Sequence, residues 1–501
     1  MTIDNHNIEF NKINNGVSFQ PLLEKYEKQL IIVFCVIALV RIFIYTAAFP
    51  LFNNVDEQAH FDTVVKYARG YLPSNGNNYY DQESAQLIAQ YGTPEYFSRN
   101  PMQFHAPTPA VTVDYFLGQK NHEAFSPPVY YAIAGLWYDV GKIIGIQGVN
   151  LLYWIRFMNL PIYLMFLGVT YLYCRMTEPK NHTLRIGVLL LLSFIPQDVF
   201  YSINSDVLSP LFFISGLFVL TKIYNGNHSF FLWPFAGGLF ASTLLIKLSN
   251  IPALFILCIM FSLIIKKTKS LGSFSSLTSH ALSLIISVLT PIIIWFCFNK
   301  YNLGDITGTH EKIRELGWAV KSLNDLGNHP IFTINGLGYF FKELILSFWR
   351  GEFIWLFERV ASKDSDIMYL LTTLFFMSTG SVSIISENKK ASSGNILISY
   401  LHIIILFSFV LFLVLQSIRY DFGNCFYPSK ESPFFTSGRL ILASLVSFVI
   451  IYVKGIVHFS EKIFKRIDPF IIILLIALYS AISEIVISRS VFLSPYNFFN
   501  F

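Results

Sequence analysis

The sequence predicts an all-α polytopic membrane protein with about 11–13 transmembrane helices, a long first extracytoplasmic loop and interfacial helices. Three observations carry that expectation. Hydrophobic residues make up 53% of the 501 and charged residues only 13%, with Phe present 50 times, too apolar a mixture for a soluble chain of this length. Apolar runs able to cross a hydrocarbon layer of roughly 30 Å recur from end to end. Between them Lys and Arg collect in alternate connections, the pattern that keeps basic loops in the cytoplasm.

The runs fall near residues 30–49, 151–173, 186–203, 207–223, 229–249, 251–265, 279–299, 366–386, 395–417, 437–454 and 468–488, about eleven crossings. Residues 1–29 are polar and no small-residue cleavage site follows the first apolar core. That core therefore reads as a retained anchor behind a cytoplasmic N-terminus. Arg41 sits in the middle of it, where an isolated charge costs at least ~2.5 kcal/mol, so a structural ion pair inside the bundle is expected. The basic connections at 175–185, Lys266 to Lys269, Lys389 with Lys390, and 454–466 share one side in this topology, and the C-terminus falls on the other. The net charge of +5 reflects these cytoplasmic loops.

Residues 50–150 and 300–365 then form two large extracytoplasmic loops of a single membrane domain spanning 1–501. Two further apolar stretches, Pro128 to Ile146 and Gly336 to Phe357, carry internal charges and fit best as interfacial or re-entrant helices. If the first crossed instead, the count would rise to about twelve or more. The five cysteines mostly lie in or beside apolar runs, with no CxxC and no His at metal spacing, which points to neither a disulfide framework nor a zinc site. There is no internal repeat, flexible linker or low-complexity tract to signal a repeat-built transporter or a separate soluble domain. The partners expected are the lipid bilayer and no nucleic acid.

Chemistry concentrates at the mouth of the first outer loop, which carries eight acidic residues against four Lys and Arg between Leu51 and Pro127. In NNVDEQAHFDT, Asp56 and Glu57 lie just beyond the first apolar run. Carboxylates at this water edge can take a proton from a hydroxyl, or hold a divalent cation such as Mg²⁺ or Mn²⁺, without the cost of a charge in hydrocarbon. In a helix starting there, Asp56, His60 and Thr63 would share a face; acids that merely favour the helix dipole are the plainer alternative. His122 and Glu123 open HEAFSPPVYY, where Pro127 and Pro128 suit a helix start. Asp198, Asn204 and Asp206 fall at the outer ends of adjacent helices, lining a site or making a tight turn.

A lipid phosphate needs cationic partners, and Lys247 in IKLSNIP, Arg419 in SIRYDFGN and Arg439 in FFTSGRLIL are the candidates on the outer side, each of which could instead snorkel. Trp349 and Trp355, with Arg350 and Glu352 between them, read as an interfacial belt, with Arg350 as a further contact to substrate the alternative.

Along residues 30 to 490 the chain carries DEQAHF at 56–61, SPPVYY at 126–131, WIRFMNL at 154–160, SINSD ending at Asp206, KLSNIP from Lys247, SFWRGEF from Ser347 and SGRLIL from Ser437. In this order they resemble the GT-C superfamily of integral-membrane glycosyltransferases, and within it a family of bacterial polytopic membrane proteins of uncharacterised function. The resemblance implies inverting transfer of a hexose or pentose from a polyprenyl-phosphate-linked donor to a glycan, lipid or protein acceptor of the cell envelope. It places that reaction on the extracytoplasmic face of the bacterial inner membrane.

Carried over by position, Asp56 becomes the general base and Glu57 its neighbour or a metal ligand. His60, His122, Glu123, Asn204, Asp206, Lys247, Arg350, Arg419 and Arg439 are the candidates for binding donor and substrate. Leu440 and Glu352 stand where aromatic residues are commoner in that family. The competing classes are a flippase or transporter of lipid-linked oligosaccharide, which would need charges deep in several helices, and a polymerase or ligase, which usually relies on arginines in a large later loop.

Overall fold

A computed structural model of the chain describes residues 18–501, leaving out 75, 77, 100–108, 228, 271–276, 356–357, 388–393, 424, 426, 463, 465–466 and 501. The expected basic residues Lys389, Lys390, Lys465 and Arg466, and most of the polar N-terminus, thus lie outside the described residues. Among the described residues, nine helices are long and apolar enough to cross a membrane: Gln20–Ala48, Val149–Thr177, Ser205–Tyr224, Leu248–Thr268, Thr278–Leu303, Lys363–Ser386, Tyr400–Arg419, Gly438–Lys462 and Pro469–Ile487. Two shorter apolar helices, His182–Ser193 and Leu232–Ile246, occupy the places of the remaining expected runs. The chain is an all-α polytopic membrane protein. Its described strands are two-residue pieces in two antiparallel pairs, Ala319–Val320 with Tyr420–Asp421 and Ile354–Trp355 with Glu358–Arg359.

Local chemistry sets many of the ends. Pro21, Pro128 and Pro469 occupy first turns, where their missing N–H costs nothing. Asn181 and Asp468 cap their helices through the amides of Leu184 and Phe470. The run expected to continue to 203 stops at Ser193, because Pro196 cannot extend it, and the chain descends through the short 3₁₀ turns Asp198–Tyr201 and Ser205–Leu208.

The Gly438–Lys462 span is the most enclosed, with 89% of its apolar window buried against 22% for Thr278–Leu303. It meets the Lys363–Glu387 helix backbone to backbone: a Cβ on Gly455 would sit 2.0 Å from the Phe376 carbonyl oxygen, and one on Gly380 2.1 Å from that of Ile451. Without a hydrophobic force between helices in lipid, such close approach supplies the dispersion that holds them. Arg41 finds the ion pair expected of it. Its guanidinium meets Glu484 at 2.7 and 2.8 Å and donates to the carbonyls of Ser193 and Ile195, tying the first span to the last.

The helices Pro128–Ile143 and Ile334–Arg350 have 16 and 17 residues. The belt expectation is corrected. Trp349 and Trp355 are only 2% and 5% exposed, and Trp349 stacks on Tyr369 and donates to Thr373 Oγ1 at 2.8 Å. The C-terminal half of that helix is wedged among spans, so the exposed apolar residues Ile334, Leu337 and Phe341 sit at its other end.

The first loop is also more than a polar excursion. It folds into the helices Glu57–Ala68, Gln82–Tyr91, Pro94–Arg99 and Pro109–Gly118. Buried Asp62 ties the first of these to the cap of the second and to Asn121, meeting Lys66 at 2.7 Å, Asn121 at 2.6 Å and the Asp81 amide at 2.7 Å.

Candidate active site

Two turns with unusual backbone aim the first loop. Phe52 and Asp56 both adopt left-handed conformations, at φ 63° and 61°. That conformation costs a non-glycine residue energy and persists where surrounding contacts enforce it. Asp56 directly precedes the Glu57–Ala68 helix, yet its side chain makes no capping bond, so its carboxylate remains available to the cavity.

The same geometry sends its neighbour the other way. Glu57 is fully buried against equally buried Arg156, at 2.7 and 2.6 Å, and accepts the amides of Phe52 and Ile203. Arg156 also donates to the carbonyls of Thr46, Phe49 and Pro50. Glu57 thus joins the DEQAHF, WIRFMNL and SINSD segments beneath the site and does not line the cavity. The structure separates the two expected metal ligands, Asp56 and Glu57, because a residue in the left-handed region redirects the chain between them.

The cavity, of roughly 650 Å³, is walled by the first loop, the 312–318 segment, the Ile334–Arg350 helix and residues 427–440. At its charged part Arg439 reaches Asp56 Oδ2 at 2.8 Å and Asp206 Oδ2 at 3.5 Å, and Lys247 meets the same Asp206 oxygen at 2.5 Å. His122 Nε2 lies 3.3 Å from Asp56 Oδ1 and 3.8 Å from Glu123 Oε1, and Lys312 pairs with Glu123.

Burial pushes the Asp56 carboxyl upward, but the His122 hydrogen bond, then the charges of Arg439 and Lys312, outweigh it and hold the group well below the usual carboxylate range. Glu123 follows the same pattern, burial being overcome first by the charge of Lys312 and further by His122 and Lys247. Burial lowers Lys247 against the pull of Asp206. Both carboxylates are therefore charged at neutral pH.

Other expected residues stand outside this cluster. His60 is fully buried behind it, its pKa driven down to about 3 by burial despite Glu123, and its Nδ1 bonds the Tyr131 hydroxyl at 2.7 Å, which reaches Glu123 at 3.2 Å. It supports Glu123 and does not face the cavity. Asn204 spends its side-chain oxygen on the Asp206 amide. Arg350 is held by Asp366 at 2.7 and 3.0 Å, and exposed Arg419 lies over its neighbour Tyr420; neither lines the cavity. The cation sequence reasoning missed is Lys312. Nothing in EKIRE distinguishes it from other basic residues of the 300–365 segment.

The remaining motifs interlock under the floor. Gly438 approaches so closely that a Cβ there would lie 2.2 Å from the Phe348 amide nitrogen. Gln197 donates to the carbonyls of Ser347 and Phe348 at 3.0 and 2.9 Å, and Asp198 accepts the Glu352 amide at 2.7 Å. Glu352, the departure from the aromatic pattern, also accepts from Ser437 and lies 3.9 Å from Arg439, adding negative charge around that guanidinium. Burial, strengthened by the Glu352 carboxylate and opposed by the amides of Glu352 and Phe353, raises Asp198 to about 7.

Asp56, His122 and Glu123 could hold a metal ion: one ligand atom of each lies within 4.8 Å of the others. Two carboxylates and an imidazole fit a hard or borderline divalent cation.

The family model described as "Predicted membrane protein (DUF2142)" matches residues 39–420. The chain belongs to that family. The matched part of this DUF2142 member contains every site residue named above except Arg439 and its segment. No curated protein matches it. Among solved structures, an Archaeoglobus fulgidus oligosaccharyltransferase complex with Zn and sulfate is similar, at 12% identity and a TM-score of 0.37. The match covers 75% of this chain and 45% of that one, so the DUF2142 chain spans less than half of that protein's length.

Proposed function

We propose that this protein is a membrane glycosyltransferase that moves a sugar from a polyprenyl-phosphate-linked donor to a cell-envelope acceptor, on the extracytoplasmic face of a bacterial inner membrane. The observation that carries the reading is the Asp56 carboxylate in a large cavity, bridged to Arg439 at 2.8 Å, with Lys247 and Lys312 close by.

In this reading an acceptor hydroxyl oxygen forms a bond to the anomeric carbon as the bond from that carbon to the donor phosphate oxygen breaks. The bonding pair leaves with the phosphate and the hydroxyl proton passes to Asp56. Arg439 and Lys247 neutralise the departing phosphate. A carboxylate held as low as Asp56 is a weak base while Arg439 is bound to it. Transfer of that guanidinium to the donor phosphate removes one of the groups that hold Asp56 down and raises its basicity once the donor is bound. Asp56, His122 and Glu123 would hold a divalent cation, which supplies further neutralisation of phosphate charge.

Native mass spectrometry of the purified protein tests the donor. A co-purifying polyprenyl phosphate-sugar, lost in Lys247→Ala or Arg439→Ala, is the expected result. A polyprenyl diphosphate-oligosaccharide in its place moves the assignment to a flippase, polymerase or ligase. For the cation, Mn²⁺ added after chelation is expected to raise the thermal midpoint of the wild type and to leave that of His122→Ala where it was. An equal shift in both removes His122 from the ligand set.

A further inference from the structure

The cavity has a second chemical character that donor and cation leave unused. Trp318, Tyr339 and Tyr427 line it together with Ser429 and Ser432. Each ring is fixed from behind. Trp318 precedes the short Ala319–Val320 ladder to Tyr420–Asp421 and packs edge-on against Phe422 and Phe435, with centroids at 5.2 and 5.4 Å. Tyr339 lies 5.2 Å from Phe434 and receives a hydrogen bond from Ser432. Tyr427 shares a 2.8 Å bond with the Thr436 hydroxyl and accepts the Thr436 amide.

The charged groups on this side are engaged with one another, Glu343 being paired with Arg359 at 3.2 Å and with Lys342 at 3.5 Å. Trp318 Nε1 is buried and has no hydrogen-bond partner among the described residues.

We propose that this aromatic side is a carbohydrate subsite that takes an uncharged stretch of glycan through Trp318, Tyr339 and Tyr427. Pre-positioned rings with polar tips match a sugar, which presents an apolar C–H face and a rim of hydroxyls. Among the described residues lining this side, the cation Arg359 is already held by Glu343, and a prenyl chain would meet the hydroxyls of Tyr339, Tyr427, Ser429 and Ser432 along the wall. Its role as the acceptor subsite rests on the transferase reading; its affinity for glycan does not.

The test is saturation-transfer NMR on the full chain in phospholipid nanodiscs, with a panel of short neutral and acidic oligosaccharides as probes. At least one neutral oligosaccharide is expected to bind. Trp318→Ala and Tyr339→Ala should each weaken that binding by about tenfold, and Trp318→Phe by less. Trp318→Phe keeps the ring and so guards against a folding defect. Binding by none of the panel, by acidic members alone, or binding indifferent to both alanine variants overturns the proposal. Failure here with polyprenyl phosphate still captured sinks the subsite and spares the transferase. Glycan binding with transfer unaffected by Asp56→Asn does the reverse.

Discussion

Asp56→Asn is expected to lower sugar transfer by about 10²–10⁴-fold, the range for loss of a general base, with the thermal midpoint close to wild type. The substitution keeps the shape of the side chain and removes its charge and its capacity to take a proton. The fold should tolerate it because the carboxylate caps no helix and because Arg439 retains Asp206 as an ion-pair partner, with Glu352 3.9 Å away. Single-turnover transfer from a purified polyprenyl phosphate-sugar, measured beside a melting curve of the same sample, separates chemistry from stability. Unchanged transfer would remove Asp56 as base. A collapse of the melting curve would reassign it as a structural partner of Arg439.

The largest effect on stability is expected one residue further on. Glu57→Gln should cost about 3–5 kcal/mol, the usual penalty for stripping one member from a fully buried ion pair. Gln still offers one acceptor oxygen, but its amide N–H groups would face donors, since Glu57 now satisfies Arg156 and the amides of Phe52 and Ile203 at once. Loss of folded yield and a lower midpoint in mild detergent would register this. The double variant Glu57→Gln with Arg156→Met, which leaves no orphaned charge, is expected to recover part of the loss. A well-folded but inactive Glu57→Gln would instead make Glu57 a participant in the reaction. Taken together, the two variants predict opposite phenotypes for adjacent carboxylates.

That contrast marks where sequence reading ran out. Composition, run length and the scatter of basic loops were enough for a polytopic helical bundle, because a bilayer demands about twenty apolar residues per crossing whatever the tertiary arrangement. The pairing need of Arg41 was legible for the same reason: a mid-span charge must find a partner. Which partner was not, since Glu484 lies 443 positions away. Lys247 and Arg439 were visible as cations at the ends of apolar runs, and they do meet, through Asp206. Arg350 and Arg419 offered the same signal and went elsewhere. One is held by Asp366 and the other lies over the neighbouring Tyr420.

By itself, then, the sequence determined the fold class and the places of most of the long apolar helices, because hydropathy acts locally against a fixed slab of lipid. Only the tertiary structure decided the roles inside the first loop. The left-handed backbone at Asp56 turns one carboxylate to the cavity, and an arginine 99 positions on draws its neighbour into the core. Directions of that kind are set by long-range pairing, which no local pattern encodes.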